Sequence, residues 1–565
     1  MGGGVHNLKY NLITLIGFIF LLTSCGVSKS LKNQPQFNQS ELKIQDRIKV
    51  NDTLFTLGKN QLRKNKQGLW ELYIKGGPLE RGLANGSLTQ ELLQRQEAIF
   101  FSKIKDLVPS KFKQKLLVKF LAWYNRKLYL YIIDEYQTEI YGVSRYAGNQ
   151  FDDVANDYLR SLYLHGAHDI GHALKDLALV GCSSFAVWGD KSADGNLLIG
   201  RNFDFYAGDE FAKEKIVAFV NPDKGYKFMS VTWGGMIGVV SGMNDQGLTV
   251  TINAGKSDIP LYAKTPISLV TREILQYAST IDEAINIAKK RKVFVSEAIL
   301  VGSAKDGKAV SIEVSPNNFG VYEVKNKGEL ICSNHFQSKA YADDNNNNKQ
   351  KAESHSQYRH QRLEELLNTK DKVTPEIAVT ILRNKEGLKD KEIGYGNEKA
   401  LNQLLAHHSI VFQPEELKVW VSSNPYQLGE FVCYDLNKVF QKFDPPTGEA
   451  GNQNFNKTIS EESFNIPKDD FINTQAFVNY ERYRKLRHVL HQIIDKKEKA
   501  SPEFLYDFKR ANPNYWEAYA LVGEYYFQRG FLAAAKKEFE LALTKEVTTI
   551  PDKKRIEKRL RRIER

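Results

Sequence analysis

The sequence predicts an α+β layered domain followed by an all-α block, and three observations carry that prediction. Between Gly181 and about Phe440, strand-like runs meet at short Asp/Gly turns. Two helix-patterned stretches are set apart from those hairpins instead of alternating with each strand, which argues against a doubly wound parallel sheet. A run dense in Gly, Pro, Asn and Ser, "FDPPTGEAGNQNFNKTISEESFNIPKDD" (Phe443 to Asp470), then separates this middle block from a helical end. The expected units are a signal segment over 1–24, a tether and N-terminal extension over 25–68, a main domain over 69–440, a linker over 441–470 and a helical domain over 471–565.

Taken in order, the chain opens with Lys9 and the apolar run "LITLIGFIFLL", leading into "LTSC" at Leu22 to Cys25. That run is too short to span a bilayer as a helix and suits a signal-peptide core. The "LTSC" ending resembles a bacterial lipobox, which implies a lipid on Cys25 and a chain anchored to a membrane of the bacterial cell envelope, the outer membrane in a Gram-negative cell. An ordinary secretory signal with an incidental Cys25 is the alternative. The start "MGGGVH" lacks the Ser/Thr of a myristoylation signal. After Cys25, "GVSKSLKNQPQFNQS" is polar and reads as a flexible tether.

With 42% hydrophobic and 26% charged residues over 565 positions, the chain as a whole has the composition of a globular protein. The net charge of +12 is uneven: Asp552 to Arg565 alone hold eight basic and three acidic residues. The main domain is therefore only mildly basic, and no nucleic-acid partner is inferred; the basic tail is a solvated face or lies on anionic lipid headgroups. Setting Cys25 aside leaves Cys182, Cys332 and Cys433, an odd number, so at least one thiol is expected free.

The middle block shows hairpin signals at Asp194-Gly195, Asp223-Lys224-Gly225, Asp245-Gln246-Gly247 and Asp306-Gly307. Thr265 as N-cap and Pro266 at the first helical position start the helical stretch "TPISLVTREILQYASTIDEAINIAKKRK". Further helices are expected in "SQYRHQRLEELLNT" and "TPEIAVTILRNKEG", and strands in "ELKVWVSS" and "EFVCYDL". The polar "ADDNNNNKQKAESHS" reads as an exposed loop. Near the end, "YALVGEYYFQRGFLAAAKKEFELAL" resembles one tetratricopeptide unit, with Gly523, Tyr526, Ala535, Phe539 and Ala542 at its spacings. One such unit cannot bury its own face and must pack on something: the rest of the chain or a protein partner.

The chemistry centres on "LALVGCSSFAVWGD", where Cys182 follows Gly181 at the edge of an apolar run. A thiol must ionise to attack a carbonyl, and a free one titrates near ~8.5. Were the Gly181-Cys182 bond cut, the new α-amino group, whose reference pKa is about 7.7 to 8.0, would sit beside its own thiol and accept the proton. Arg201, on the partner strand of the same hairpin, supplies a positive charge that favours the thiolate. Asp204 is placed to hold the amino terminus by accepting its hydrogen bonds. A packed core thiol is the plain alternative for Cys182, and a strand-end ion pair for Arg201 and Asp204.

The order "GC…GRNFDF…GMNDQGLTVTINAG…SNHF", together with "GGPLERGLANGSL" upstream, resembles the N-terminal-nucleophile hydrolases that begin with cysteine. Among them it is most similar to the isopenicillin-N acyltransferase-like family, related to acid ceramidase and the choloylglycine hydrolases, over roughly Leu69 to Leu436. The resemblance implies a four-layer αββα core and a precursor that cuts itself before Cys182, leaving that residue as nucleophile and base. It places Arg201 and Asp204 beside the nucleophile, Asn253 in the oxyanion hole and Asn334 near the nucleophile. It adds a distal arginine, Arg359 with Arg362 as rival. It implies a small N-acyl amide substrate with a long-chain acyl group, a thioester intermediate, and no cofactor or metal. Water or an amine resolves that thioester, so amidohydrolase and acyltransferase both stay open.

Other readings compete. His335 beside Asn334 would give a Cys182–His335 dyad without self-cleavage. In "HGAHDIGH", His165, His168 and His172 with Asp169 have helical spacing suited to a metal, or to packing against a sheet. A non-enzymatic envelope protein binding through its tetratricopeptide-like end is the alternative class.

Overall fold

The computed structural model describes residues 27–38, 40–42, 46–107, 110–152, 155–166, 169, 181–206, 208–256, 262–443 and 458–565. The signal segment, Cys25, His168 and His172 lie outside the described residues.

Among the described residues, seventeen strands form two sheets. The larger contains β1 (Ile48–Asn51), β2 (Leu54–Leu57), β3 (Asn60–Lys64), β4 (Trp70–Gly76), β7 (Ile216–Pro222), β8 (Phe228–Thr232), β9 (Ser241–Asn244), β10 (Leu248–Ala254), β11 (Glu297–Ser303), β12 (Lys308–Val314) and β13 (Phe319–Tyr322), paired in chain order. The smaller runs β14 (Glu329–Cys332), β5 (Ser183–Val187), β6 (Leu198–Phe203), β15 (His408–Gln413), β16 (Lys418–Ser422) and β17 (Phe431–Asp435). Pairing is antiparallel except β4 with β7.

Alternation along the strands sets the layers. Val217, Phe219, Met229, Ala298 and Leu300 of the large sheet face Ala186, Ile199, Ile410, Phe412 and Val421 of the small one. The intervening residues Ile216, Ala218, Val220, Ile299 and Val301 turn outward onto Val270 and Ile274 of the Ile267–Tyr277 helix and Ala284 and Ala288 of the Ile281–Lys290 helix. On the far side, Phe185, Val187, Leu198 and Val411 pack on Leu363 and Leu367 of the Ser356–Asn368 helix and on Val379 and Leu382 of the Pro375–Leu382 helix. The result is the expected αββα sandwich. Cys332 and Cys433 are buried packing residues in β14 and β17.

The glycines of "GGPLERGLANGSL" have a packing role. On the Pro78–Leu88 helix, a Cβ at Gly82 would lie 2.2 Å from the Glu139 carbonyl oxygen, and one at Gly142 would lie 2.7 Å from the Leu83 nitrogen. Only glycines let this helix cross Asp134–Ser144 so closely. Glu139, buried at the crossing, bonds Arg81 at 2.7 Å and Arg272 at 3.2 Å, tying these helices to Ile267–Tyr277.

In the 25–68 segment, the N-terminal extension joins the large sheet as β1, β2 and β3, with Phe55, Leu57 and Leu62 packed in its apolar cluster. Several expectations need correction. The Asn-rich segment is a helix over Asn345–Glu353, started by the Asp344 side chain on Asn347 N–H at 2.7 Å. Its Asn347 side chain is buried and satisfies both backbone groups of Phe336 at 2.8 and 3.1 Å. Thr265 does not cap the next helix: Pro266 holds the N-cap, and the Thr265 hydroxyl donates to the Tyr131 carbonyl. Within the linker, residues 458–470 are seated on the small sheet, Ile466 bridging Phe431.

The C-terminal helices Gln475–Lys496, Pro502–Ala511, Trp516–Gln528, Leu532–Thr544 and Ile550–Ile563 share one apolar cluster with Leu404 and Leu428 of the main domain. The Trp516–Gln528 and Leu532–Thr544 helices pack closely on each other: a Cβ on Gly523 would sit 2.8 Å from the Phe539 ring. The block docks on the main domain. Asn512 and Tyr395 exchange hydrogen bonds at 2.8 and 3.2 Å, and Glu546 pairs with Lys391 and Lys399.

Candidate active site

Cys182 immediately precedes β5 and is 1% exposed. The hairpin register sets Ser184 opposite Arg201 and Ser183 opposite Asn202, so the Cys182 end of β5 meets the Arg201–Asp204 end of β6. Arg201 Nη2 donates to Cys182 Sγ at 3.7 Å and to the Ile252 carbonyl at 2.5 Å. Its Nη1 donates to the Val240 carbonyl at 3.0 Å and to Ser241 Oγ. Ser241 in turn meets His408 Nε2 at 2.9 Å, and His408 Nδ1 lies 2.9 Å from His407 Nδ1.

The arginine rivalry resolves by geometry. Arg359 Nη1 donates to the Cys182 carbonyl at 2.5 Å and to Ser183 Oγ at 2.6 Å, while Nη2 donates to Asn334 Oδ1 at 2.6 Å. Arg362 points elsewhere, onto Asn384, Glu365 and Asp390. Asn334 Nδ2 donates to the Ala254 carbonyl at 2.9 Å, next to Asn253. Asn253 Nδ2 donates to the Cys332 carbonyl at 2.9 Å and its Oδ1 accepts from Ser184 at 2.9 Å. Each of these amides has a second hydrogen beyond the bond described.

The Gly181-Cys182 junction is held from both sides. Gly181 N–H donates to the Asp204 carbonyl at 3.1 Å, and Gln403 Nε2 donates to the Gly181 carbonyl at 3.0 Å. The Asp204 carboxyl is fully buried and neither oxygen has a hydrogen-bond partner among the described residues. In the intact chain the α-amine that it is expected to hold is an amide.

Burial dominates the site's protonation. It pushes the Cys182 thiol up to about 11; the Arg201 charge pulls it down, Asp204 and Glu297 push it further up, and Arg359 pulls it down. The sequence-level expectation that Arg201 favours the thiolate has the right sign but is outweighed by desolvation. Burial likewise pushes Asp204 up to about 8 against the pull of Arg359 and Arg201, and Arg359 down to about 10.

The competing histidines are otherwise engaged. His335 Nδ1 meets Ser356 Oγ at 2.8 Å, burial pushes it down to about 3, and no hydrogen bond joins it to Cys182 among the described residues. His165 Nδ1 meets the Ser161 carbonyl at 2.7 Å and its Nε2 accepts from Ile237 N–H at 3.0 Å, a packing histidine that burial pushes down to about 4. Asp169 accepts from Ile267 N–H at 2.9 Å. Among the described residues, no cluster of three or more His, Cys, Asp or Glu is placed to hold a metal.

Sequence reasoning missed Gln403, Ser183, Ser184, Ser241, His408 and the buried Glu297. Two had a readable signal. An ionisable residue opens the apolar run "EAILVGS", and "AHHSIVF" sets paired histidines on a strand. Gln403 gave none, since only the fold brings it to Gly181.

Residues 191–425 match the family model described as "Acyl-coenzyme A:6-aminopenicillanic acid acyl-transferase", within the stretch where the sequence resembles the isopenicillin-N acyltransferase-like family. That match includes Arg201, Asp204, Asn253, Asn334 and Arg359 and begins nine residues after Cys182. An uncharacterized protein of Archaeoglobus fulgidus is 27% identical over 277 residues, covering 45% of this chain and 45% of the relative. The N-acylethanolamine-hydrolyzing acid amidase of Caenorhabditis elegans is 24% identical over 212 residues, 36% of this chain and 57% of the relative. The chain thus spans about half the length of the curated relatives it matches. A solved structure of a conjugated bile acid hydrolase mutant from Clostridium perfringens aligns at 16% identity with TM-score 0.30, covering 46% of this chain and 93% of that one.

Proposed function

With an acyl-transferase family domain over residues 191–425 as the premise, we propose that this protein is a self-processing thiol amidohydrolase or acyltransferase that acts on N-acyl amides through a thioester on Cys182. One observation carries the reading: a buried thiol beside the Arg201 guanidinium, its own carbonyl clamped by Arg359, which also holds Asn334.

Self-processing comes first. Cys182 sulfur adds to the Gly181 carbonyl carbon, whose oxygen already accepts from Gln403, a donor that strengthens as the oxygen becomes an oxyanion. The Gly181-Cys182 C–N bond breaks as the nitrogen takes a proton, leaving a thioester. Water hydrolyses it, giving a Gly181 carboxylate and a free Cys182 amine.

Turnover uses that amine. It accepts the thiol proton as sulfur attacks the substrate acyl carbon, then returns a proton to the departing nitrogen as the substrate C–N bond breaks. The second hydrogens on the Asn253 and Asn334 amides are the side-chain donors for the oxyanion, each worth about 3 kcal/mol in comparable sites. Arg201 lowers the thiol's proton affinity and fixes the sulfur; Asp204 holds the ammonium. Water resolves the thioester to an acid, and an amine resolves it to a new amide.

The test is capture of the intermediate. Wild-type protein mixed with an N-acyl amide and quenched in acid is expected to yield the Cys182 peptide heavier by the acyl mass, with the adduct removed by hydroxylamine. An adduct elsewhere, or turnover surviving in Cys182→Ala, overturns the reading. Adding a free amine separates the two reactions by forming a new amide or leaving only acid. A lipid on Cys25 and an envelope location complete the proposal, read from detergent-phase partitioning that Cys25→Ala abolishes.

A further inference from the structure

A cavity of about 500 Å³ lies between the main domain and the C-terminal helices. Its walls include Asp204, Gln403, His355 and Glu398 from the main domain and Tyr480, Tyr483 and Tyr515 from the helical block. Two of these belong to the Cys182 junction: Gln403 bonds Gly181, and the Asp204 backbone accepts from it. His355 Nδ1 accepts from Arg359 Nε at 3.2 Å, the arginine that clamps the Cys182 carbonyl. The cavity therefore lies against residues that hold the side of the nucleophile where its α-amino group forms.

That side has a chemical meaning. In the reaction proposed above, the α-ammonium gives its proton to the departing nitrogen, so the amine half of the substrate must lie next to it. The hydroxyls of these three tyrosines donate away: Tyr483 to Glu517 at 3.0 Å, Tyr515 to Glu398 at 3.5 Å, Tyr480 to the Leu404 carbonyl at 3.3 Å. The oxygens of these tyrosines and Glu398 then offer acceptors to an occupant. An alkyl chain placed here would strand buried polar groups, which is costly.

We propose that this interdomain cavity is the amine subsite, built jointly by the C-terminal helices, and that it takes a polar amine carrying further hydrogen-bond donors, such as a hydroxyalkyl amine. This rests on the thioester reading, and makes the helical block part of the enzyme's specificity. The acyl chain enters from elsewhere. In an acyltransferase the same cavity receives the acceptor amine.

The experiment compares two N-acyl amides with one acyl chain, one bearing a hydroxyalkyl amine and the other an alkyl amine of equal length. The wild-type full-length protein is expected to favour the hydroxyalkyl amide in kcat/KM. Glu398→Gln, and separately Tyr515→Phe, are expected to reduce that ratio about tenfold, mainly through KM, since each alters one acceptor. The preference between a long and a short acyl chain on the same amine is expected to stay fixed. An unchanged amine ratio, or a shift in acyl preference instead, overturns the proposal. Binding of the two free amines to the Cys182→Ala chain, by calorimetry, reads the cavity without turnover. Selective hydroxyalkyl amine binding that Glu398→Gln weakens supports the subsite even if no amide is cleaved, which would sink only the parent reading. Equal binding of both amines overturns the subsite. Thermal melts of each variant separate a folding defect from lost recognition.

Discussion

Arg359 and Cys182 are joined through the backbone: the guanidinium donates to the cysteine's own carbonyl oxygen at 2.5 Å while its other arm holds Asn334. The arginine thus fixes the residue on both sides of the reacting centre, a task that needs a planar fork with several donors. Arg359→Lys is expected to retain the charge and lose about 100-fold or more in kcat, whereas Arg362→Lys, whose partners are Asn384, Glu365 and Asp390, is expected to keep activity within a few-fold. Equal losses from the two substitutions would remove Arg359 from the site.

Gln403 points its amide at the carbonyl that self-processing attacks. Gln403→Leu is expected to slow conversion of one chain into two by roughly 100-fold, the usual loss on removing one oxyanion donor. A time course on a denaturing gel measures it.

The thiol of the uncut chain titrates high because it is buried. Alkylation of Cys182 in the Gln403→Leu chain, followed by mass spectrometry, is expected to be slow at neutral pH and to accelerate toward pH 11. The processed wild-type chain, with an amine beside the thiol, is expected to react fast near neutrality.

Asp204 gives a signed pH effect. Its carboxyl is held up at about 8 in the folded chain against an ordinary value near 4, so the folded state holds the proton more tightly. Its stabilising contribution is fully present below the unfolded value and is lost as pH rises through about 8. In a Cys182→Ala background, Asp204→Asn is therefore expected to flatten the fall of Tm between pH 5 and 8, and to raise Tm at pH 8 by a few degrees. Buried His165, held down at about 4, contributes with the opposite sign, losing stability as pH falls below its ordinary value near 6.5, and stays unchanged in that comparison.

The helical pair depends on a close contact. Gly523→Val would drive a side chain into the Phe539 ring, already 2.8 Å from a bare Cβ, and is expected to destabilise the C-terminal block by about 1–3 kcal/mol. Selective loss of protection there in hydrogen exchange measures it.

The β5–β6, β7–β8, β9–β10 and β11–β12 hairpins were legible because they rest on local chemistry: Asp/Gly turns between runs of β-branched and aromatic residues mark them. The hairpin that brings Arg201 beside Cys182 was legible for the same reason. What remained hidden depends on long-range closure. Gln403 meets Gly181 across more than two hundred residues, and Asn347 turns a polar run into a helix by satisfying the Phe336 backbone. The strength of burial was also invisible, since a charged neighbour can be read from a strand pairing but desolvation cannot. The strands of the N-terminal extension went unread because only the pairing of β3 with β4 brings them into the sheet.

The central claim is that Cys182 works as an N-terminal residue. Intact mass measurement of the purified full-length protein tests it most directly. The account predicts two chains for the wild type, the larger beginning at Cys182, and one uncut chain for Cys182→Ala. A wild-type protein that remains a single uncut chain yet hydrolyses N-acyl amides would contradict it.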